Sequence, residues 1–255
     1  MRTIRFSHDG GISYGELEDD RVRVWSGAPW ADGKRTPETI TLERIELLAP
    51  CETGKVIAMA INYPGATGLT EETHEPLVFL KPSSSVIGPK QAITSPFTDA
   101  PAWGEVELAI VIGKRLCRAD TETARGGVFG FTIGNDVSAE NLYDWDHHLA
   151  RSKGADTFCP LGPWIDTEYV PGNNRIHGYY NGDIIRDGRL HERRWKEPEV
   201  LVWLSSWMTL EPGDVILTGA PTRTRPRQYF QHGDVFSCFI DGLGELTNPY
   251  REPHG

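Results

Sequence analysis

The chain has 255 residues, with 26 Lys+Arg against 36 Asp+Glu, and is 38% hydrophobic. That length suits one large domain, or a domain with a small appendage. The formal net charge of −10 argues against a nucleic-acid partner, which would need clustered Lys and Arg. The longest apolar runs, 56–61 and 108–112, fall far short of the roughly 20 residues that span a bilayer. The first six residues also lack the apolar stretch of a secretory signal, so the expectation is a soluble, cytoplasmic protein with no membrane partner. The four cysteines form no CxxC pair and are expected as small buried residues in a reducing compartment. With 18 Pro and 27 Gly the chain must turn often, so the expected class is α+β and β-rich, with a few helices.

In chain order, residues 1–50 read as a small strand-and-turn module and 51–255 as a second body, with the junction at Pro50 to Gly54. Gly11-Ile12-Ser13-Tyr14-Gly15 formally matches a nucleophile elbow, but polar residues precede it and acidic ones follow, so a hairpin turn is expected instead. Residues 56–61 form a buried strand. The most informative segment, Trp103-Gly104-Glu105-Val106-Glu107-Leu108 and onward to Gly113, is an apolar strand that opens with two acids. Side chains alternate with period 2, so Glu105 and Glu107 share a face. Like charges side by side are costly unless a cation, a proton or water relieves them, and an exposed strand end is the plain alternative. Asp136 closes another apolar stretch as either a helix cap or a ligand. If the three acids meet, an all-oxygen site suits Mg²⁺, Mn²⁺ or Ca²⁺ better than zinc. Helices are expected over 141–152, with Leu142, Trp145 and Leu149 on one face, and over 198–210, with Val200, Leu201, Leu204, Trp207 and Met208 on one face. His147 and His148 point about 100° apart on such a helix and are expected at the surface. Asn181-Gly182 between two strand-like runs predicts a type I′ hairpin.

The combination of Asn62-Tyr63, Phe79-Leu80-Lys81-Pro82, Glu105-Val106-Glu107-Leu108-Ala109, Gly134-Asn135-Asp136-Val137-Ser138-Ala139, Lys153 ahead of Asp156-Thr157-Phe158, and Thr209 to Gly219 resembles the fumarylacetoacetate hydrolase (FAH) family. The resemblance covers about residues 55–250 and extends to a small N-terminal module. It implies a mixed β-roll or β-sandwich catalytic domain, commonly a homodimer, that acts on a small-molecule substrate, a 2-oxo acid or 1,3-dicarbonyl compound. It further implies Glu105, Glu107 and Asp136 as ligands of Mg²⁺ (or Mn²⁺), Lys153 as a catalytic residue, and Tyr63, Lys81, Thr218, Gly219 and Arg223 at the substrate. Without it, Lys81 and Lys153 would be read as solvated lysines.

The departures from the family pattern matter for the chemistry. Hydrolytic members follow Asn-Tyr with a His and then a Glu; here Ala66 and Leu69 take those places, so the usual base for water is absent. His74 is either an exposed loop residue or a base on a moving loop. The Gly-rich continuation after Pro221 is replaced by Thr222-Arg223-Thr224-Arg225-Pro226-Arg227, whose arginines either clamp a carboxylate or form a solvated basic loop. Arg186 stands where many members carry Gln. Substrate identity is expected to be set in 64–68 and 222–227. A divalent cation that polarises a 2-oxo acid stabilises an enolate, from which proton transfer, decarboxylation and C–C cleavage are all reachable. Without general-base help, worth about 10²–10⁴-fold, decarboxylation or keto–enol isomerisation is favoured over hydrolytic C–C cleavage. A dehydratase or cyclase using the same enolate and a non-catalytic metabolite-binding relative are the other readings.

Overall fold

The structure, a computed structural model, describes residues 1–66 and 68–252. Thr67, part of the 64–68 segment expected to set substrate identity, lies outside the described residues. The fold is sheet-rich, with three α-helices, Thr121–Gly126, Ala150–Gly154 and Glu199–Trp207, among the described residues. A 12-stranded sheet begins with an antiparallel meander of Arg35–Thr41, Arg21–Trp25, Gly11–Glu18 and Arg2–His8. It continues through Cys159–Asp166, Val128–Asn135, Val106–Ile112, Val215–Leu217, Val56–Met59 and Val78–Lys81. Val215–Leu217 runs parallel to Val56–Met59, so the sheet is mixed. A 5-stranded sheet of Asp183–Arg189, Arg175–Tyr180, Val235–Ile240, Gly244–Arg251 and Ile93–Thr94 faces it.

The period of two explains the layering. Along Val106–Ile112 every residue is buried, and Val106, Leu108, Ile110 and Ile112 join one core with Ile176, Phe236 and Ile240 of the smaller sheet. Ala109 and Val111 join a second core with Val56, Ala58, Val215 and Leu217. A strand buried on both faces is continuously apolar, and the acids therefore sit only at its mouth. Ile4, Phe6, Val22, Val24 and Ile40 close a third cluster inside the N-terminal meander. The Asn181-Gly182 hairpin forms as expected, both residues at positive φ (51° and 86°).

Several local expectations are corrected. The strand expected over 56–61 stops at Met59. Residues 141–152 are not one helix: Leu142–Asp144 is a single 3₁₀ turn, and the α-helix begins only at Ala150. Tyr143, Asp144 and Leu149 adopt positive φ, which ends regular helix, and Asp146 turns to accept from the Ser152 amide and hydroxyl. Trp145, expected on a packed face, is 83% exposed. In the later helix Val200, Leu201 and Leu204 are buried, but Trp207 is exposed and meets Trp203 edge to face, because the helix ends there. Gly11 to Gly15 lie within a strand, the turn falling one step earlier at Asp9-Gly10. Cys51, Cys159 and Cys238 are buried, whereas Cys117 is exposed, beyond the point where Leu116 bridges to Leu210 and the chain leaves the core. His147 and His148 are exposed.

Candidate active site

Glu107 pairs in register with Gly134, and Val106 with Asn135, so the end of Val128–Asn135 delivers Asp136 beside the two glutamates. Backbone and side chain lock this mouth: Glu105 N–H donates to Asn135 Oδ1 at 2.9 Å, and Asp136 N–H donates to the Glu105 carbonyl at 2.9 Å. Asp136 caps no helix. Its Oδ1 accepts from Lys81 Nζ at 2.6 Å and its Oδ2 from Lys153 Nζ. Lys81 is 1% exposed and also donates to the Val137 carbonyl, so it does not snorkel to solvent. Lys153, on the Ala150–Gly154 helix, reaches Glu105 Oε2 at 2.9 Å as well.

The electrostatics follow from this packing. Burial pushes the Glu105 carboxyl up, but Lys153 and Arg186 outweigh it and hold the group well below the usual carboxylate range. Burial and the neighbouring charge of Asp136 push Glu107 well above that range, against the opposing pull of Lys153. Burial alone would lower Lys153; Asp136 and Glu105 reverse that and keep it an ammonium. Arg186, on the far strand of the Asn-Gly hairpin, is 6% exposed and donates to Glu105 Oε1 and to the Pro221 carbonyl. This contact is invisible in the sequence, where Arg186 stands out only as a substitution for Gln. Glu107 Oε2 accepts from the Gly219 amide at 2.6 Å.

These groups open into a cleft of about 360 Å³ lined by Ala60, Ala66, Glu105, Glu107, Arg186 and Arg223, among others. Ala66 thus presents a methyl group to the cleft. His74 is exposed and outside its lining. Thr218 is buried, with its hydroxyl on the Leu108 carbonyl at 2.9 Å, so it secures backbone. Gly219 likewise orients Glu107. Tyr63 is 2% exposed and lines a neighbouring cleft beyond Pro221 and Thr222. Asn62 beside it ties Trp195 and Thr218 together through their backbone.

The donor chemistry fits a hard divalent cation. Three acids converge in a largely buried mouth and offer oxygen donors, and burial together with Asp136 raises Glu107, a cost that a bound cation would relieve. Among the described residues no group of three His, Cys, Asp or Glu side chains is arranged to hold an ion as placed; Glu105 and Asp136 share the Lys153 ammonium instead.

The comparisons with known proteins agree with the sheet-rich fold. The fumarylacetoacetate (FAA) hydrolase C-terminal family profile matches residues 55–251, and the profile described as Rv2993c-like, N-terminal, matches residues 1–50. The crystal structure of 5-carboxymethyl-2-hydroxymuconate delta-isomerase from Mycobacterium smegmatis is similar at 36% identity and a TM-score of 0.90, covering 99% of this chain and 100% of that one. The mitochondrial oxaloacetate tautomerase fahd2 of Xenopus laevis is 35% identical over 82% of this chain and 70% of its own length. Maleylpyruvate hydrolase from Sphingobium sp. SYK-6, solved with manganese(II) and pyruvate, is 25% identical with a TM-score of 0.79, over the whole of both chains. With its matched profile covering most of the sequence and its acids, lysines and strands in this arrangement, the chain belongs to the fumarylacetoacetate hydrolase family of enzymes.

Proposed function

We propose that the protein is a divalent-metal-dependent keto–enol isomerase of an enolisable 2-oxo acid. The observation that carries this reading is that the cleft lined by Glu105 and Glu107 has Ala66 and no histidine among its described lining residues, while the Lys153 ammonium is held on Glu105 and Asp136. Glu105, Glu107 and Asp136 would hold Mg²⁺ or Mn²⁺, which supplies Lewis acidity toward the ketone and carboxylate of a 2-oxo acid. Lys153 carries its proton at Nζ, held by Asp136 and Glu105, and so acts as a donor to a developing oxyanion and not as a base. Lys81 fixes Asp136, and Gly219 N–H fixes Glu107. Isomerisation moves one proton between carbon and oxygen and needs no activated water. The tautomerase and isomerase relatives support it, and decarboxylation would draw on the same groups. A homodimer in the cytoplasm completes the proposal, with sedimentation in solution reading its first part; no helix among the described residues is long and apolar enough to cross a membrane.

Hydrolytic C–C cleavage is the second reading, favoured by the manganese-bound hydrolase relative. One assay separates them. In Mg²⁺ or Mn²⁺, the purified protein should speed the decay of the oxaloacetate enol absorbance, and Glu107→Gln should lower that rate by at least about 10²-fold. Cleavage of an acylpyruvate at a rate comparable to its enol–keto exchange would overturn the assignment.

A further inference from the structure

The strand Asp183–Arg189 faces two ways. Its period of two sends Arg186 inward to Glu105 and sets Asp187 and Arg189 on the outer side of the smaller sheet. There Arg189 stands opposite Arg175, and Asp187 opposite His177, in the ladder with Arg175–Tyr180, while Ile176 between those two is 0% exposed in the core. These four side chains line a second cleft, of about 560 Å³, with Tyr63 and Glu192. Pro221 and Thr222 border both clefts, but none of the acids and lysines of the catalytic mouth lines this one.

Two features of the outer cleft are unsatisfied. Arginines directly opposite on a ladder repel, and neither Arg175 nor Arg189 has a carboxylate in ion-pair reach among the described residues; Arg189 places Nη1 on the Asn173 carbonyl at 3.0 Å. Tyr63 is 2% exposed, yet its hydroxyl has no hydrogen-bond partner among the described residues, which is costly for a buried donor. The acids are placed otherwise. Asp187 Oδ1 lies 3.2 Å from His177 Nε2, whose Nδ1 meets the Tyr179 hydroxyl at 3.3 Å, and Glu192 accepts from the Arg189 amide at 2.8 Å.

We propose that this outer cleft is a second ligand site, for the phosphate monoester of a small polyol, that is, a sugar phosphate. The Arg175–Arg189 pair presents two guanidinium forks, the geometry that suits a phosphate, and a dianion between them replaces cross-strand repulsion with attraction. One same-face step along the ladder, about 6.8 Å away, the Asp187 carboxylate accepts from ligand hydroxyls. That acid decides the class: bare phosphate would meet it as a like charge, whereas a hydroxyl-bearing carbon chain reaching from the arginines turns it into a partner. The Tyr63 hydroxyl supplies a further donor from the wall, and the cleft lies within the range of about 300–1,000 Å³ usual for small-molecule sites.

Calorimetric titration of glucose 6-phosphate, glucose and inorganic phosphate into the full chain tests the site without turnover. Glucose 6-phosphate should bind at least about tenfold more tightly than inorganic phosphate, and glucose at the same concentrations should give no binding heat. Arg175→Ala and Arg189→Ala should each weaken glucose 6-phosphate by at least about tenfold, as loss of one charged hydrogen-bonded pair does, and Arg189→Lys should keep part of the affinity. Both alanine variants should leave the rate of oxaloacetate enol decay within about twofold of the parent, as for sites that share no partners. Asp187→Ala should weaken glucose 6-phosphate while leaving inorganic phosphate equal or tighter, a contrast that a merely structural role for Asp187 would not produce. No heat from glucose 6-phosphate at millimolar concentration, equal affinities for it and inorganic phosphate, or binding that survives both arginine substitutions overturns the site.

Discussion

Gly219 is doubly constrained. Its φ of +89° lies where only glycine rests without strain, and a Cβ there would stand 2.8 Å from the Asn62 Cβ. Its amide also holds Glu107 Oε2, so an added methyl group presses on the segment that orients an acid of the site. Gly219→Ala is expected to cost about 1–3 kcal/mol, read as a melting-temperature loss of about 2–12 °C, together with slower oxaloacetate enol decay; an unchanged melting temperature would show that the loop relaxes freely. At this scale the sequence was legible where chemistry is local. The period of two puts Glu105 and Glu107 on one face, and the Asn-Gly pair marks its turn. Lys81 shows the opposite case. A lysine ending an apolar run has no local signal that separates a snorkelling side chain from one buried on Asp136, because its partner lies 55 positions away.

The hairpin that carries Arg186 depends on one carboxylate at its base. Asp234 accepts from the Tyr180 hydroxyl, from Asn181 Nδ2 at 2.8 Å and from the Gln231 amide at 2.6 Å, while Asn181 Oδ1 accepts from the Val235 amide. Burial raises the Asp234 carboxyl, but the Tyr180 and Asn181 donors outweigh it and hold the group below its ordinary value. A folded-state value below the unfolded one means that the ionised form is favoured by folding. The contribution is therefore present above about pH 4, the unfolded aspartate value, and is lost as pH falls through the folded one. Asp234→Ala is expected to lower the melting temperature at pH 7 and to flatten its decline under acid. Parallel acid profiles for parent and variant would assign the decline to other groups. Helices were the least legible elements. Leu142, Trp145 and Leu149 have helical spacing, yet three residues at positive φ and the Asp146–Ser152 contacts break the segment, and apolar periodicity carries no information about either.

The N-terminal meander and the catalytic sheet are continuous: Arg2 and Thr3 pair with Asp166 and Ile165, and Trp164 packs against the meander's own cluster. Removing residues 1–50 would unpair Ile165 and Asp166 on that side of the strand and uncover apolar surface at Trp164, which invites edge-to-edge association. The fragment 51–255 is expected to melt lower and to aggregate in light scattering; a monodisperse fragment with the parent's melting temperature would show that the two parts are energetically independent. That β-rich class was legible in the Gly and Pro counts and the short apolar runs. This junction was not, since nothing near Arg2 specifies a partner more than 160 positions away. The same remoteness marks the cleft. Apart from Lys153 on Asp136, 17 positions apart, its contacts join residues separated by 48 (Lys153 to Glu105), 81 (Arg186 to Glu105) and 112 positions (Gly219 to Glu107), so the whole site draws on segments spread along the chain. Non-local contacts of this kind form slowly, and Arg186 of the smaller sheet reaches Glu105 of the larger one only after both sheets have closed. During synthesis and refolding, then, acquisition of cation and substrate binding becomes a late event that reports completion of the whole fold, and a bound ligand tightens the native state throughout instead of bracing one loop.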